Sequence, residues 1–314
     1  MVIAFPTPAS PLKIGTRGSP LALAQAYETR ARLMAAFDLA EAAFEVVVIQ
    51  TSGDLIQDRA LKDIGGKGLF TKEIEEQLLA GSIDIAVHSM KDMPVAQPAG
   101  LLLDTYLPRE DVRDAFVSLA GGALSDLPEG ATVGTSSLRR KAQLLHRRPD
   151  LKVVEFRGNV QTRLRKLGEG VAEATFLAMA GLNRLGAADV PRRGIAPDEM
   201  LPAVAQGAIG IERRADDVRA RDMLAAIHHH ETGLRLAAER AFLTALDGSC
   251  ETPIAGLAEL SGDQLRLRGE ILRTDGSEAL ADEISGAALG GAEMGRSLAA
   301  RLLARAGDGF FDWR

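Results

Sequence analysis

The constraint that narrows the fold most is a repeated local pattern: a short apolar run, then a polar turn, then a helix-start signal. Leu12–Thr16 leads into Arg17-Gly18-Ser19-Pro20, where Ser19 caps a helix and Pro20 takes its first position, and apolar spacing continues from Leu21 to Phe37. Phe44–Thr51 is a β-branched strand, followed by a glycine-rich loop and a helix from about residue 71 to 80. Ile83–Val87 is a further strand, running into the polar His88-Ser89-Met90-Lys91-Asp92-Met93-Pro94. Thr132–Thr135, Leu151–Phe156 and Phe176–Met179 each lead into a helix. Strands alternating with helices predict α/β lobes, and 314 residues predict two or three domains. Pro108–Asp114 reads as a polar crossing between lobes, and 208–212 as a strand returning to the first. The tail, with strands near 254–260, 264–272 and 280–285 and a helix over 291–306, predicts a small α+β domain.

Composition excludes several classes. Hydrophobic content of 46% with 25% charged residues is that of a folded globular chain, and with aromatics at 4% the cores must be Leu, Ala, Val and Ile. No apolar run reaches the length of a membrane span, and the N-terminus lacks a basic region followed by an apolar stretch, so a cytoplasmic protein is expected. A single cysteine excludes an intramolecular disulfide framework.

The net charge is −6, yet Ser137–Gly168 holds ten Lys/Arg against Asp150 and Glu155, a local +8. A basic island in an acidic chain points to a small anionic ligand, whereas a nucleic-acid binder spreads its basicity and uses more aromatics. A solvated helix face is the competing account. Against it, three successive strand-to-helix turns present arginines: Ser137-Leu-Arg139-Arg140, Arg157-Gly158-Asn159 with Arg163 on the next helix, and Arg184 after the third. Arg17 and Ser19 lie at a comparable turn, where a helix N-terminus favours an anion. Lys91 beside Asp92 pairs a cation with a carboxylate at the end of a strand, where open α/β sheets bind ligands. Lys62 and Lys67, with Phe70, lie in a glycine-rich loop without P-loop spacing, either a surface loop or a lid over an anion. His228-His229-His230 resembles a metal site only in composition, because consecutive helical residues do not converge on one ion. Cys250 lies in Gly248-Ser249-Cys250 before Pro253, a loop address that suits an attachment point or nucleophile as well as an incidental thiol.

Together these motifs are too specific to stand apart. Gly15-Thr-Arg-Gly-Ser-Pro-Leu-Ala, Gly65-Gly-Lys-Gly-Leu-Phe70, His88-Ser-Met-Lys-Asp-Met-Pro94, Gly134-Thr-Ser-Ser-Leu-Arg-Arg140 and Arg157-Gly-Asn-Val160 resemble the porphobilinogen deaminase (hydroxymethylbilane synthase) family. So do Leu201-Pro-Ala-Val-Ala-Gln206-Gly-Ala-Ile-Gly-Ile-Glu212 and Leu246-Asp-Gly-Ser-Cys-Glu-Thr-Pro-Ile254.

The resemblance implies two lobes like those of periplasmic binding proteins, crossed twice by the chain, plus a third domain carrying the cysteine. The divisions expected are 1–107 with 203–227, 108–202, and 228–314. It implies a transferase of heme biosynthesis that condenses four porphobilinogen molecules head to tail, releasing ammonia each time, then frees hydroxymethylbilane by hydrolysis. It also implies a covalent dipyrromethane primer on Cys250, Asp92 as catalytic carboxylate, and no metal. Arg17, Ser19, Lys91, Ser137, Arg139, Arg140, Arg157, Gly158, Arg163, Arg184 and Gln206 would bind the acetate and propionate groups of primer and substrate, with Lys62, Lys67 and Phe70 in support. A cytoplasmic monomer without nucleic-acid or membrane partners is expected. The sequence departs from the family pattern at Ser249, Ala205 and Glu173, and His88 reads as a buried structural histidine. A solute-binding protein for an anionic ligand is the alternative, with the same lobes but no use for the cysteine loop.

Overall fold

The computed structural model describes residues 4–55, 71–249, 252–307 and 309–311. By compactness the chain forms two units: among described residues, 4–55, 71–110 and 208–233 make the first, and 111–207 with 234–311 the second.

The first unit is built on one five-stranded sheet. Its strands, numbered in chain order, are β1 (Leu12–Arg17), β2 (Phe44–Ile49), β3 (Ile85–Ser89), β4 (Leu101–Tyr106) and β10 (Ile209–Arg214), in the order β2-β1-β3-β10-β4. β1 is parallel to β2 and β3, while β10 runs antiparallel to β3 and β4. Both faces are covered. Ile14, Ile85, Val87, Ile209 and Ile211 pack with Leu33 of helix α1 (Pro20–Phe37) and Leu224 of a later helix, while Ile49, Ile83 and Ala86 pack with Ile74 and Leu78 of helix α2 (Lys72–Leu79). Burial on both sides explains why β3 reads as an apolar run rather than an alternation. Each such aliphatic side chain removed from water contributes roughly 1.5–3 kcal/mol. The return strand expected at 208–212 is therefore real, and it completes this sheet.

The second unit repeats the plan. Strands β5 (Asp114–Val117), β6 (Thr132–Gly134), β7 (Lys152–Val154), β8 (Ala174–Ala178) and β9 (Arg192–Gly194) form a sheet in the order β7-β6-β8-β5-β9. Here β6 is parallel to β7 and β8, and β5 is antiparallel to β8 and β9. Helices α3 (Leu138–Arg147), α4 (Val160–Gly168) and α5 (Met179–Arg184) follow β6, β7 and β8 in turn. The same unit carries an antiparallel sheet, β11 (Ile254–Ser261), β12 (Gln264–Leu272) and β13 (Ala279–Ala287), in sequence order. It packs against a C-terminal helix over Gly291–Ala306, with Leu298 and Leu302 fully buried. Two sheet lobes plus a small C-terminal α+β domain are the fold class expected, with β10 and β5 as the strands supplied by the two chain crossings.

Local differences have physical causes. Met179 begins a helix instead of ending a strand, and β4 and β9 were not anticipated. β4 follows Pro98-Ala-Gly100, and its alternation is obscured by Leu102, apolar at an exposed position, and Thr105, polar at a buried one. Asp114, read as part of a polar crossing, is the fully buried first residue of β5.

Candidate active site

In the first lobe, the turn after β1 is fixed by local chemistry. Ser19 is the N-cap of α1, its hydroxyl accepting from Ala22 N at 3.3 Å, and Pro20 begins the helix. Arg17 ends β1 beside this cap and is half-buried. The turn after β3 is a single 3-10 turn, Met90–Asp92, in which Lys91 and Asp92 are both half-buried. Met90 N donates to Ala208 O at 3.0 Å, which ties this turn to the start of β10. Gln25 of α1, buried, bonds to Ser89 at 2.8 Å, just before Lys91. Sequence reasoning passed over Gln25; a polar residue on the apolar stripe of α1 was its signal. His88 is buried, its Nε2 3.2 Å from Oε2 of Glu212 on β10.

In the second lobe, Ser137 caps α3 by accepting from Arg140 N, and Asn159 caps α4 by accepting from Thr162 N at 2.9 Å. Arg139 and Arg140 therefore occupy the first turn of α3, where the helix dipole disfavours cations. Both are nonetheless buried, at 4% and 5% exposure. Asp114 compensates. Its Oδ2 accepts from Arg139 Nη1 at 2.8 Å, and its Oδ1 accepts from Arg140 Nε and Nη2 at 3.1 and 2.7 Å. Gln206 Nε2 adds a bond to Oδ1 at 3.0 Å. Burial works to raise the Asp114 pKa, but the two guanidiniums outweigh it and hold the carboxyl well below its ordinary range. One carboxylate against two guanidiniums leaves a net positive charge.

The two arginines present different edges. Arg140 turns Nε and Nη2 to Asp114 and Nη1 to Phe176 O at 2.9 Å. Arg139 makes its bonds through Nη1 alone, to Asp114, to Gln143 Oε1 at 2.9 Å and to Leu201 O at 3.1 Å, and its buried Nε has no hydrogen-bond partner. An unpaired buried guanidinium N–H is a costly donor unless a ligand oxygen meets it. A group carrying acetate and propionate side chains supplies such oxygens, so the residues present fit a dipyrromethane.

The remaining arginines of the set are half-buried. Arg163 Nε donates to Gly158 O at 2.9 Å, and Lys166 Nζ to Arg157 O at 3.0 Å. Gly158 adopts φ +120°, and a Cβ there would lie 2.5 Å from the Thr162 side chain, which is why the Arg157–Asn159 turn needs glycine. Arg184 Nη2 donates to Gly207 O at 3.0 Å, next to Gln206. The departures from the family pattern each have partners. Glu173 accepts from Thr132 N at 2.7 Å. Ala205 takes a left-handed φ of +61°, with its N–H held by buried Glu239 at 2.6 Å. Ser249 N donates to Thr252 Oγ1 at 3.0 Å, and Thr252 Oγ1 to Ser249 O at 2.7 Å.

Cys250, Lys62, Lys67 and Phe70 lie outside the described residues. The histidine run turns to separate partners: His228 Nδ1 accepts from Tyr106 N at 3.3 Å, and His229 Nδ1 meets Thr232 Oγ1 at 2.8 Å. Among the described residues no cluster of three His, Cys, Asp or Glu is arranged to hold a metal, and no helix is long and apolar enough to cross a membrane.

Comparison with known proteins draws these features together. A family model described as "Porphobilinogen deaminase, dipyromethane cofactor binding domain" matches residues 12–222, and "Porphobilinogen deaminase, C-terminal domain" matches 234–304. The chain is 68% identical over 309 residues to a porphobilinogen deaminase of Paracoccus denitrificans (strain Pd 1222), covering 98% of this chain and 99% of that one. It is 56% identical over 298 residues to that of Nitrobacter winogradskyi, covering 95% and 94%. Among solved structures, the Bordetella pertussis BvgS periplasmic VFT2 domain is similar with a TM-score of 0.41 at 14% identity, covering 69% of this chain and 86% of that one. With both models and relatives this similar along nearly its whole length, the chain belongs to the porphobilinogen deaminase family.

Proposed function

We propose that Asp92 is the catalytic carboxylate and Cys250 the tether in the reaction that this chain carries out as a member of its family. That reaction is a transferase's. Four porphobilinogen molecules are condensed head to tail with loss of ammonia, and hydroxymethylbilane is released for porphyrin and heme synthesis. When bound, the dipyrromethane supplies the pyrrole carbon onto which substrate units are joined.

The observation that carries the assignment of binding residues is the arginine pair on Asp114, with the unpaired Nε of Arg139. Arginine holds carboxylates bidentately and stays charged. Arg139 and Arg140, with Arg17, Arg157, Arg163, Arg184 and Lys91, bind and orient the acetate and propionate groups of primer and substrate. Ser19, Ser137, Gly158 and Gln206 shape the turns that present them. Asp92 stabilises the cation left when ammonia departs from the substrate, and takes up the proton lost after the new bond forms. Such a contact contributes on the order of 10²–10³ in rate. Cys250 holds the primer through a thioether, between Ser249 and Thr252, which bond to one another. Lys62, Lys67 and Phe70 support the same site. On this reading a third domain, 228–314, bears the tether. A cytoplasmic, metal-free monomer completes it.

Intact-mass measurement tests it. Freshly purified active protein is expected to exceed its sequence mass by two linked pyrrole units, and Cys250→Ser to lose that increment. An active protein at its unmodified mass would refute the tether. The solute-binding alternative has only the two-lobed architecture in its favour and predicts no such increment.

A further inference from the structure

The arginine pair is held from a second side, by the C-terminal sheet. Glu270, on β12, is 6% exposed and accepts from Gln143 Nε2 at 2.6 Å. Gln143, on α3, is fully buried, and its Nε2 also donates to Leu201 O at 3.0 Å. Its Oε1 accepts from Arg139 Nη1 at 2.9 Å. A side-chain amide has a donating nitrogen on one side and an accepting oxygen on the other. Glu270 and Leu201 O offer only acceptors, so the nitrogen must face them and the oxygen must face Arg139. Turned over, the amide would set oxygen against oxygen on one side and N–H against N–H on the other. Glu270 thus helps fix which way Gln143 points, and Gln143 with Asp114 and Leu201 O fixes Nη1 of Arg139. None of these bonds uses Nε of Arg139, which is left buried and unpaired. α3 is further attached to the same hairpin, with His146 Nδ1 3.0 Å from Gly276 O and Arg147 Nη2 3.9 Å from Glu270 Oε1.

We propose that Glu270 is a positioning residue, acting through Gln143 to orient the guanidinium of Arg139 toward a substrate or primer carboxylate. The C-terminal domain then does more than carry a tether, because it sets the geometry of an arginine in the neighbouring lobe. This rests on the reading of Arg139 as a carboxylate-binding residue.

The test is steady-state kinetics with porphobilinogen, beside intact-mass measurement of primer loading and a thermal melt. Glu270→Leu is expected to raise KM about threefold to tenfold while kcat changes less than about twofold, at a temperature well below melting. Gln143→Leu is expected to do the same, and carries the test if Glu270→Leu does not fold. Because both cut one chain of bonds, the double variant should show no larger KM than the worse single variant. Glu270→Gln, which keeps an oxygen for Gln143 to donate to, should recover most of the loss. An unchanged KM in folded Glu270→Leu and Gln143→Leu overturns the proposal, as do effects that multiply in the double variant. A lowered melting temperature with native KM also overturns it, since that is what a purely structural contact gives. Arg139→Lys separates the two levels. Normal primer loading and KM there remove the role of Arg139 itself and the proposal with it. A damaged Arg139→Lys beside normal Glu270 and Gln143 variants removes only the proposal.

Discussion

The two lobes have the same strand order and the same pattern of parallel and antiparallel pairs, and each buries an acid on its antiparallel crossing strand. What those acids meet differs. Glu212 on β10 faces one imidazole, His88, and among the described residues neither His88 Nε2 nor either Glu212 oxygen makes a hydrogen bond. Asp114 on β5 accepts four bonds from two guanidiniums and an amide. On the proposed function, one scaffold therefore supports two kinds of site. In the first lobe the turn after the central strand presents Lys91-Asp92, which suits chemistry on a developing cation. The second concentrates fixed positive charge, which suits holding a lengthening polyanion. A buried acid is thus read by its partners: Glu212 lies beside one imidazole on the neighbouring strand, while Asp114 makes two arginines tolerable in the first turn of a helix.

Substitutions can break this division of labour. The largest effect is expected in the first lobe, where Asp92→Asn should lower kcat by about 10²–10³-fold or more with an unchanged unfolding midpoint. Near-normal turnover would place the chemistry elsewhere. Asp114→Asn, in the second lobe, should act through stability and binding, since two buried guanidiniums lose their counter-charge. Denaturant unfolding should show a loss of roughly 3–5 kcal/mol, with poorer primer loading by mass. The pH dependence has a definite sign. A carboxyl whose folded pKa is depressed contributes stability that is complete above its ordinary value of 3.8 and is lost as pH falls toward the folded one. The gap between wild type and Asp114→Asn should therefore be constant near neutrality and narrow below about pH 4. A gap that does not narrow in acid would show that the variant fails by packing, not by charge.

The smallest effect concerns the helix caps, where the lobes should behave alike. Ser19→Ala and Ser137→Ala each remove a hydroxyl that accepts a helix N–H, and each should cost about 1 kcal/mol in unfolding free energy. If the Ser137 variant also raises KM and the Ser19 variant does not, the second-lobe cap serves binding as well as folding.

Much of this was legible in the chain. Ser19-Pro20 announced α1, Ser137 announced α3, and the apolar run before His88 announced the strand that leads into the Lys91-Asp92 turn, because caps and strand periodicity act over a few residues. β4 was hidden, since Leu102 is apolar on its exposed face and Thr105 polar on its buried one. Asp114 was misplaced for a related reason: among charged neighbours it looks solvated, and nothing local tells that two guanidiniums will enclose it.

Local signals along the chain suffice for the α/β class, the returning strand, the basic island, and the residue types of the candidate site. Which side chain holds which is set by the folded packing. Asp114 and Arg139 are 25 positions apart, Asp114 and Gln206 are 92, and Gln143 and Glu270 are 127. Periodicity carries information over one or two turns of chain, whereas these bonds form because sheet pairing brings distant buried polar groups together, where each must find a partner.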